Sequence, residues 1–143
     1  MPHTFEVHVH WKDGLRGEIT PQGVAHTVPF SVPKEFGGPG GEWTPEHFFA
    51  AGVGTCIMAT FLSIAQMSKL PIAAYDSRAS CALEKGEGGF RINSVSLSVR
   101  IAVQAEKDRE RAQRMIEKAE QMCPISNSVK AAVAMQATVE VAG

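Results

Sequence analysis

The most constraining feature of the sequence is the stretch from His47 to Ser68, which contains no Asp, Glu, Lys or Arg. Residues typical of a helix start precede it: Thr44 suits an N-cap, Pro45 the first helical position and Glu46 the first turn. A helix at the surface of a globular protein usually carries a polar stripe, which this stretch lacks. The sequence therefore predicts a long central helix from Thr44 to Ser68 that is buried by surrounding protein.

A run this apolar is also long enough to cross a bilayer, so a membrane-spanning helix is the alternative. Against it, the stretch contains polar side chains at Thr55, Thr60, Ser63 and Gln66 as well as two glycines, and no basic segment precedes it. The N-terminus has no basic segment followed by an apolar one, as a signal peptide would. We therefore expect a cytoplasmic protein with no membrane partner.

Composition limits the possible functions. A chain of 143 residues fits one domain, residues 1–143, with enough buried surface for a core. With a net charge of −1, no overall field marks nucleic acid or an anionic membrane as a partner, so we expect neither. Three cysteines, at positions 56, 81 and 123, form neither a disulfide framework nor the C-x-x-C pairs of structural zinc sites. In a reducing compartment, a free cysteine with a functional role is more often a reactive thiol than a structural one.

The N-terminal third reads as strands. Apolar and polar residues alternate from Phe5 to Trp11, which predicts a half-buried strand. Asp13-Gly14 predicts a hairpin turn into a second strand over residues 15–20, and a third short strand is expected over residues 24–32. The prediction is a three-stranded antiparallel meander, followed by a Gly- and Pro-rich loop over residues 33–41.

The second half predicts further antiparallel strands and two shorter helices. A strand begins near Ile72 and a hairpin loop follows it; the next strand, residues 95–103, alternates most clearly. Cys81 lies on the apolar face of the first of these strands, where a thiol is usually inert packing. An amphipathic helix is expected over Glu106–Met122, then a short helix to about Ala132. A final strand near the C-terminus completes an α+β domain.

Two of the cysteines are candidates for a reactive thiol. Cys123 precedes a proline at the N-cap position of the expected short helix, where unpaired N–H groups and the helix dipole favour a thiolate. The alternative is a buried cysteine beside a helix stop. Cys56 lies too deep in its helix to feel the terminal dipole. If Cys56 is a nucleophile, another cation must lower its pKa.

Three segments together resemble the OsmC/Ohr family of osmotically inducible and organic-hydroperoxide-resistance proteins. They are PEHFFAAGVGTC (Pro45–Cys56), the Gly-rich loop before it and MCPISNS (Met122–Ser128). The order of elements matches as well, so the resemblance covers nearly the whole chain. It implies an OsmC-like α+β fold assembled as an intertwined homodimer with active sites at the subunit interface. It also implies a thiol-dependent peroxidase that reduces organic hydroperoxides, and in some members hydrogen peroxide, without a cofactor.

The resemblance also assigns roles. Cys56 corresponds to the peroxidatic cysteine and Cys123 to the resolving one, with Arg16 holding the thiolate and Glu46 orienting that arginine. Cys56 would become a sulfenic acid and then a Cys56–Cys123 disulfide, which an external dithiol or a lipoylated protein would reduce. On one straight helix Glu46 and Cys56 lie about 15 Å apart. We therefore expect Arg16 and Glu46 to reach the Cys56 of the partner chain.

Four apolar residues would suit an alkyl or fatty-acid hydroperoxide as substrate-binding residues: Phe36, Phe48, Phe49 and Met58. Plain core packing is the alternative for all four. A non-catalytic dimer that binds an apolar or acyl ligand is the second hypothesis for function. A third is a metal site at His8 and His10, which share a strand face but have no further ligands in sequence.

Overall fold

The computed structural model describes residues 2–143 and divides the chain into two compact units, the first ending at Phe48 and the second comprising Phe49–Gly143. The elements, in order, are β1 (Val7–Asp13), β2 (Arg16–Pro21), β3 (Val28–Ser31), α1 (Pro45–Met67), β4 (Ile72–Gly86), β5 (Gly89–Val103), α2 (Arg109–Met122) and β6 (Ala132–Val141). Short 3-10 turns lie at Lys34–Phe36, Glu106–Asp108 and Ser126–Ser128. This order confirms the predicted α+β class.

The first unit contains the meander that the sequence predicted, with β1, β2 and β3 antiparallel and in that order. The expectation of a half-buried first strand was wrong. Every residue of β1 is exposed, and Trp11 is 75% exposed, because β1 is an edge strand whose faces are not covered. The third strand is also shorter than expected, since a hydrogen bond from the Val24 N–H to the Pro21 carbonyl keeps the chain in a turn after β2.

The second unit contains a sheet in the order β4-β5-β6. A tight turn between Gly86 and Gly89 joins β4 to its antiparallel neighbour β5. The expectation that all further strands are antiparallel was wrong for β6, which runs parallel to β5 and begins at Ala132, where a helix was expected to end. The reason is the crossover: α2 returns the chain to the beginning of β5, so the next strand runs in the same direction.

Both helices pack on the face of the sheet that carries the alternate apolar residues of β5. The buried core comprises Val53, Ile57, Phe61 and Ala65 of α1, Val95, Leu97, Val99, Ile101 and Val103 of β5, and Ala112, Ile116 and Ala119 of α2. Cys123 is also part of this core. Cys81 packs against it, in the position that the alternation of β4 indicates. The core therefore holds α1 and the end of α2 side by side.

The expectation that α1 is surrounded by protein holds for only one of its faces. The opposite face, which includes Met58, Leu62 and Gln66, is exposed and carries no charge. Among the described residues α1 is the one helix long and apolar enough to cross a membrane, and 33% of its most apolar window is buried in the protein. Exposure of the apolar side chains on this uncharged face to water costs free energy.

The C-terminus of α1 stores removable backbone strain. Lys69 has a φ of 56°, and the Leu70 N–H bonds to the Ala65 carbonyl at 2.9 Å while the Lys69 N–H bonds to the Gln66 carbonyl at 3.2 Å, which is a Schellman motif. We expect Lys69→Gly to raise the free energy of unfolding by about 0.5–1 kcal/mol, because glycine adopts this φ without the steric cost. Urea titration measures it. Lys69→Ala, which removes the charge but keeps the strain, should give no gain, and equal effects of the two variants would contradict this account.

Candidate active site

The first turn of α1 is fixed by a reciprocal cap. The Thr44 hydroxyl oxygen accepts a hydrogen bond from the His47 N–H at 3.3 Å, and the Thr44 N–H donates to His47 Nδ1 at 3.0 Å. This is the arrangement of a capping box, with an imidazole where Glu or Gln is usual. The predicted N-cap at Thr44 is confirmed. The cap thus fixes the residue at which α1 begins.

Folding brings two of the three cysteines together. Cys56 lies half-buried on α1, and Cys123, directly after α2, is 0% exposed. The two thiols lie close enough that each changes the ionisation of the other. Cys56 and Cys123 are both free thiols. A pair of adjacent free thiols from distant parts of the chain is the main chemical feature of the second unit.

The two thiols differ in acidity. Burial raises the pKa of Cys56, the neighbouring Cys123 raises it further, and the Ile125 N–H and the Thr60 hydroxyl offset this only in part. Burial also opposes ionisation of Cys123, but hydrogen bonds from Ser126 and the neighbouring thiol outweigh it and lower the pKa of Cys123. No described residue that sets the pKa of Cys56 is a cation. That a cation from elsewhere lowers the pKa of Cys56, if this thiol is a nucleophile, stays a prediction.

The turn after α2 is built around Cys123. Pro124 has no N–H and ends the helix. The Ser126 N–H donates to the Cys123 sulfur at 3.4 Å, and the Asn127 N–H donates to the Cys123 carbonyl at 3.1 Å. The sulfur thus accepts a backbone N–H three residues later, as an N-cap side chain would. The expected N-cap position was nevertheless wrong, because the short helix extends only over Ser126–Ser128 and Ile125 is its N-cap.

Ser126 is a residue that the sequence analysis missed. An N–H three residues after a capping position is spaced to reach the cap, but any residue except proline supplies it, so no local pattern marks the serine itself. Its hydroxyl oxygen is buried and makes no well-directed hydrogen bond to a described residue. The hydroxyl nevertheless lies near enough the Cys123 sulfur to contribute to lowering the pKa of Cys123. Ser126 therefore belongs to the thiol site.

Arg16 lies at the start of β2, in the first unit. Its Nη2 donates to Glu42 Oε1 at 3.2 Å, so the carboxylate that pairs with Arg16 here directly follows the Gly-rich loop. Glu46, the partner expected from the family resemblance, lies four residues later, in the first turn of α1. The Arg16–Glu42 pair is partly exposed and contributes about 0–1 kcal/mol, so Arg16 can change partners at little cost. Pairing of Arg16 with Cys56 and Glu46 stays a prediction.

The four expected substrate-binding residues lie in different surroundings. Phe36 is 45% exposed at the end of a 3-10 turn, and Phe48 stacks on Trp43 with ring centroids 5.0 Å apart. Met58 lies on the exposed face of α1. Phe49 packs against the core and lines a cavity of about 490 Å³. Packing against Trp43 is sufficient to explain Phe48, whereas Phe49 has a free volume beside it.

That cavity lies within the second unit. Its wall comprises Phe49, Leu83, Phe90, Arg91, Ile92, Asn93, Ser128, Val129, Lys130 and Ala131. The wall is mainly apolar, with two cationic side chains, Arg91 and Lys130. Its residues 128–131 begin at the last residue of the turn Ser126–Ser128. A molecule with an apolar body and a polar end fits such a wall.

The His8–His10 pair was the third candidate site. The two rings stack with centroids 5.2 Å apart, and His10 Nε2 lies 3.1 Å from Glu18 Oε1. Lys12 Nζ donates to the other oxygen of Glu18 at 3.0 Å. Within residues 2–143 no group of three or more His, Cys, Asp or Glu side chains is arranged to hold a metal ion. Each carboxylate oxygen of Glu18 is thus in contact with a neighbouring side chain, His10 or Lys12.

Comparisons with known proteins place this geometry in context. A family model described as OsmC-like protein matches residues 38–138. The organic hydroperoxide resistance protein of Xanthomonas axonopodis pv. citri is 31% identical over 128 residues, which cover 88% of this chain and 87% of that protein. Peroxiredoxin OsmC of Escherichia coli is 28% identical over 131 residues, which cover 88% and 90%. An OsmC-like protein of unknown function from Vibrio cholerae shares the fold, with a TM-score of 0.85 at 20% identity over 96% of this chain and 100% of that one.

Proposed function

This chain belongs to the OsmC-like family, and on that premise we propose that it is a thiol-dependent peroxidase that reduces organic hydroperoxides to alcohols. The names of its relatives, organic hydroperoxide resistance protein and peroxiredoxin, support a peroxidase-like role. The observation that carries the proposal is the adjacency of the free Cys56 and Cys123 thiols. Two thiols so placed can convert one peroxide equivalent into one disulfide.

In the first step the Cys56 thiolate attacks the distal oxygen of the hydroperoxide. The S–O bond forms as the O–O bond breaks, and the alkoxide leaves and takes a proton to become the alcohol. The sulfur is oxidised to a sulfenic acid while the peroxide is reduced. Phe49 and the cavity beside it would hold the apolar part of the substrate, with Phe36, Phe48 and Met58 as further candidates.

In the second step the Cys123 thiolate attacks the sulfenic sulfur of Cys56. The S–S bond forms, and hydroxide leaves and is protonated to water. The lowered pKa of Cys123 suits an attacking thiol, because thiolate rather than thiol is the nucleophile. An external dithiol or a lipoylated protein then reduces the disulfide by thiol–disulfide exchange, which regenerates both thiols.

Cys56 must itself be a thiolate in the first step, and burial works against this. Arg16 is the cation that we propose for it, through a charge-assisted hydrogen bond, with Glu46 orienting the guanidinium. Because α1 runs unbroken over Pro45–Met67, Glu46 lies about 15 Å along the axis from the Cys56 of its own helix. Arg16 and Glu46 therefore act on the thiol of a partner chain.

A homodimer is part of the proposal. The uncharged exposed face of α1 and the exposed apolar residues of β1 would be covered by a second copy of the chain. Each active site would then combine the thiols of one subunit with Arg16 of the other. We place this dimer in the cytoplasm, where reductants keep its thiols reduced between turnovers.

The test is a titration with cumene hydroperoxide followed by peptide mass mapping. We expect reduced protein to consume one equivalent of peroxide and to form a Cys56–Cys123 disulfide. Cys81→Ser is the matched control and should give the same bridge. A disulfide that includes Cys81, or full consumption without any bridge, would contradict the mechanism.

The cavity beside Phe49 favours one other function, a non-catalytic dimer that binds an apolar or acyl ligand. The same titration separates the two hypotheses. A binder consumes no peroxide above the rate of Cys56→Ser but retains an acyl ligand on purification. Consumption that requires Cys56 would exclude the purely binding role.

A further inference from the structure

Ser126 is a polar residue of the thiol site that neither of the two proposed chemical steps uses. Its N–H donates to the Cys123 sulfur at 3.4 Å. Its hydroxyl oxygen is buried and makes no well-directed hydrogen bond to a described residue, but it lies near enough the Cys123 sulfur to lower the pKa of that thiol. Buried hydroxyls are nearly always paired, so this one points to a state of the site in which its O–H turns fully toward the sulfur. Ionised Cys123 is such a state, because a thiolate accepts hydrogen bonds strongly.

We propose that Ser126 is a positioning residue for the resolving thiol, and that its N–H and buried hydroxyl together hold the Cys123 sulfur as a thiolate ready to close the disulfide with Cys56. This inference rests on the proposed function. It extends that function by naming the residue that sets the rate of the second step. Nothing in the chemistry of the first step requires Ser126.

The surroundings of Cys123 leave this task to Ser126. The sulfur is 0% exposed, so water cannot solvate its charge and the protein must supply the donors. Pro124 has no N–H to offer. The N–H of Ile125 lowers the pKa of both Cys56 and Cys123, so it is shared between the two sulfurs. The N–H of Ser126, in contrast, donates to Cys123. The lowered pKa of Cys123, to which Ser126 contributes, agrees with this geometry.

The rate of closure matters because the sulfenic acid has two fates. The Cys123 thiolate can attack the sulfenic sulfur of Cys56 and release hydroxide, which gives the reducible disulfide. A second hydroperoxide can instead oxidise the sulfenic acid to a sulfinic acid, releasing another alcohol. A slower resolving thiol therefore increases the share of Cys56 lost as sulfinic acid. Ser126 would protect the enzyme at high peroxide.

The first experiment measures Cys123 without any peroxide. In a Cys56→Ser, Cys81→Ser background, Cys123 is the remaining thiol, and its rate of alkylation by iodoacetamide against pH reports its ionisation. Ser126→Val and Ser126→Thr have the same shape and differ by the hydroxyl. We expect the Val variant to titrate about one pKa unit higher than the Thr variant, a tenfold loss of thiolate at neutral pH. Ser128→Ala, whose hydroxyl bonds the Pro124 carbonyl in the same turn, should titrate like the parent.

The second experiment uses the full chain with all three cysteines. Reduced protein is mixed with a tenfold excess of cumene hydroperoxide, and the sulfinic acid at Cys56 is quantified by mass. We expect several times more sulfinic acid for Ser126→Val than for Ser126→Thr, with the unmodified chain and Ser128→Ala alike. Equal titration and equal sulfinic acid in the Val and Thr variants would overturn the inference while leaving peroxidase activity intact. Absence of peroxide consumption by the unmodified chain would instead overturn the proposed function, and the alkylation result would still report whether Ser126 ionises Cys123.

Discussion

Replacement of Cys56 with serine is expected to lower kcat/KM for an alkyl hydroperoxide by roughly 10³-fold or more, because it removes the atom to which oxygen is transferred. A serine hydroxyl in this half-buried position has no thiolate-like state at neutral pH. The measurement is steady-state peroxide consumption with excess dithiol as reductant. The fold should survive, since serine is close to cysteine in size and Cys56 is not fully buried.

Two cysteine variants control this result. Cys81→Ser should keep the activity, because Cys81 packs against the core away from the proposed chemistry. Cys123→Ser should complete the first turnover and then stall with an oxidised Cys56, since its resolving partner is missing. If Cys56→Ser retained activity, or if Cys123→Ser alone abolished the first turnover, the assignment of the peroxidatic thiol would be wrong.

Arg16→Met is expected to lower kcat/KM at neutral pH by about 10²–10³-fold, the loss typical when one donor to a developing or resident anion is removed. The sign of its pH dependence follows from Cys56. Burial raises the pKa of this thiol, so without the guanidinium it is protonated at neutral pH and becomes a thiolate only as the pH rises. The variant should therefore regain activity with increasing pH, whereas the unmodified protein should depend on pH much less. A pH–rate profile between neutral and alkaline pH measures it.

Lys12→Met is the matched control, because Lys12 is a cation of the same unit that pairs with Glu18. It should leave the pH–rate profile unchanged. Comparing Glu42→Gln with Glu46→Gln then identifies the carboxylate that orients Arg16 during turnover, and we expect the larger loss for Glu46→Gln. An Arg16→Met variant with the activity and profile of the unmodified chain would exclude Arg16 from the site.

Local features of the chain were sufficient to predict most elements of the fold. Thr44 and Pro45 marked the start of α1, and the alternation over residues 95–103 marked the core strand β5. These predictions succeeded because caps and periodicity depend on neighbours a few residues away. Burial of β1 was predicted wrongly, since alternation shows that a strand has an apolar face but not whether the chain itself covers that face.

Contacts between distant segments were decided by the tertiary structure alone. The direction of β6 depends on how α2 crosses the sheet, and the partner of Arg16 depends on where the Gly-rich loop places Glu42. Neither has a local pattern. The motifs of the sequence determined which residues we propose for the chemistry. Only the packed core determined that Cys56 and Cys123 lie next to each other and that Ser126 lies beside Cys123. The reason is that separation along the chain does not fix separation in space until the core forms.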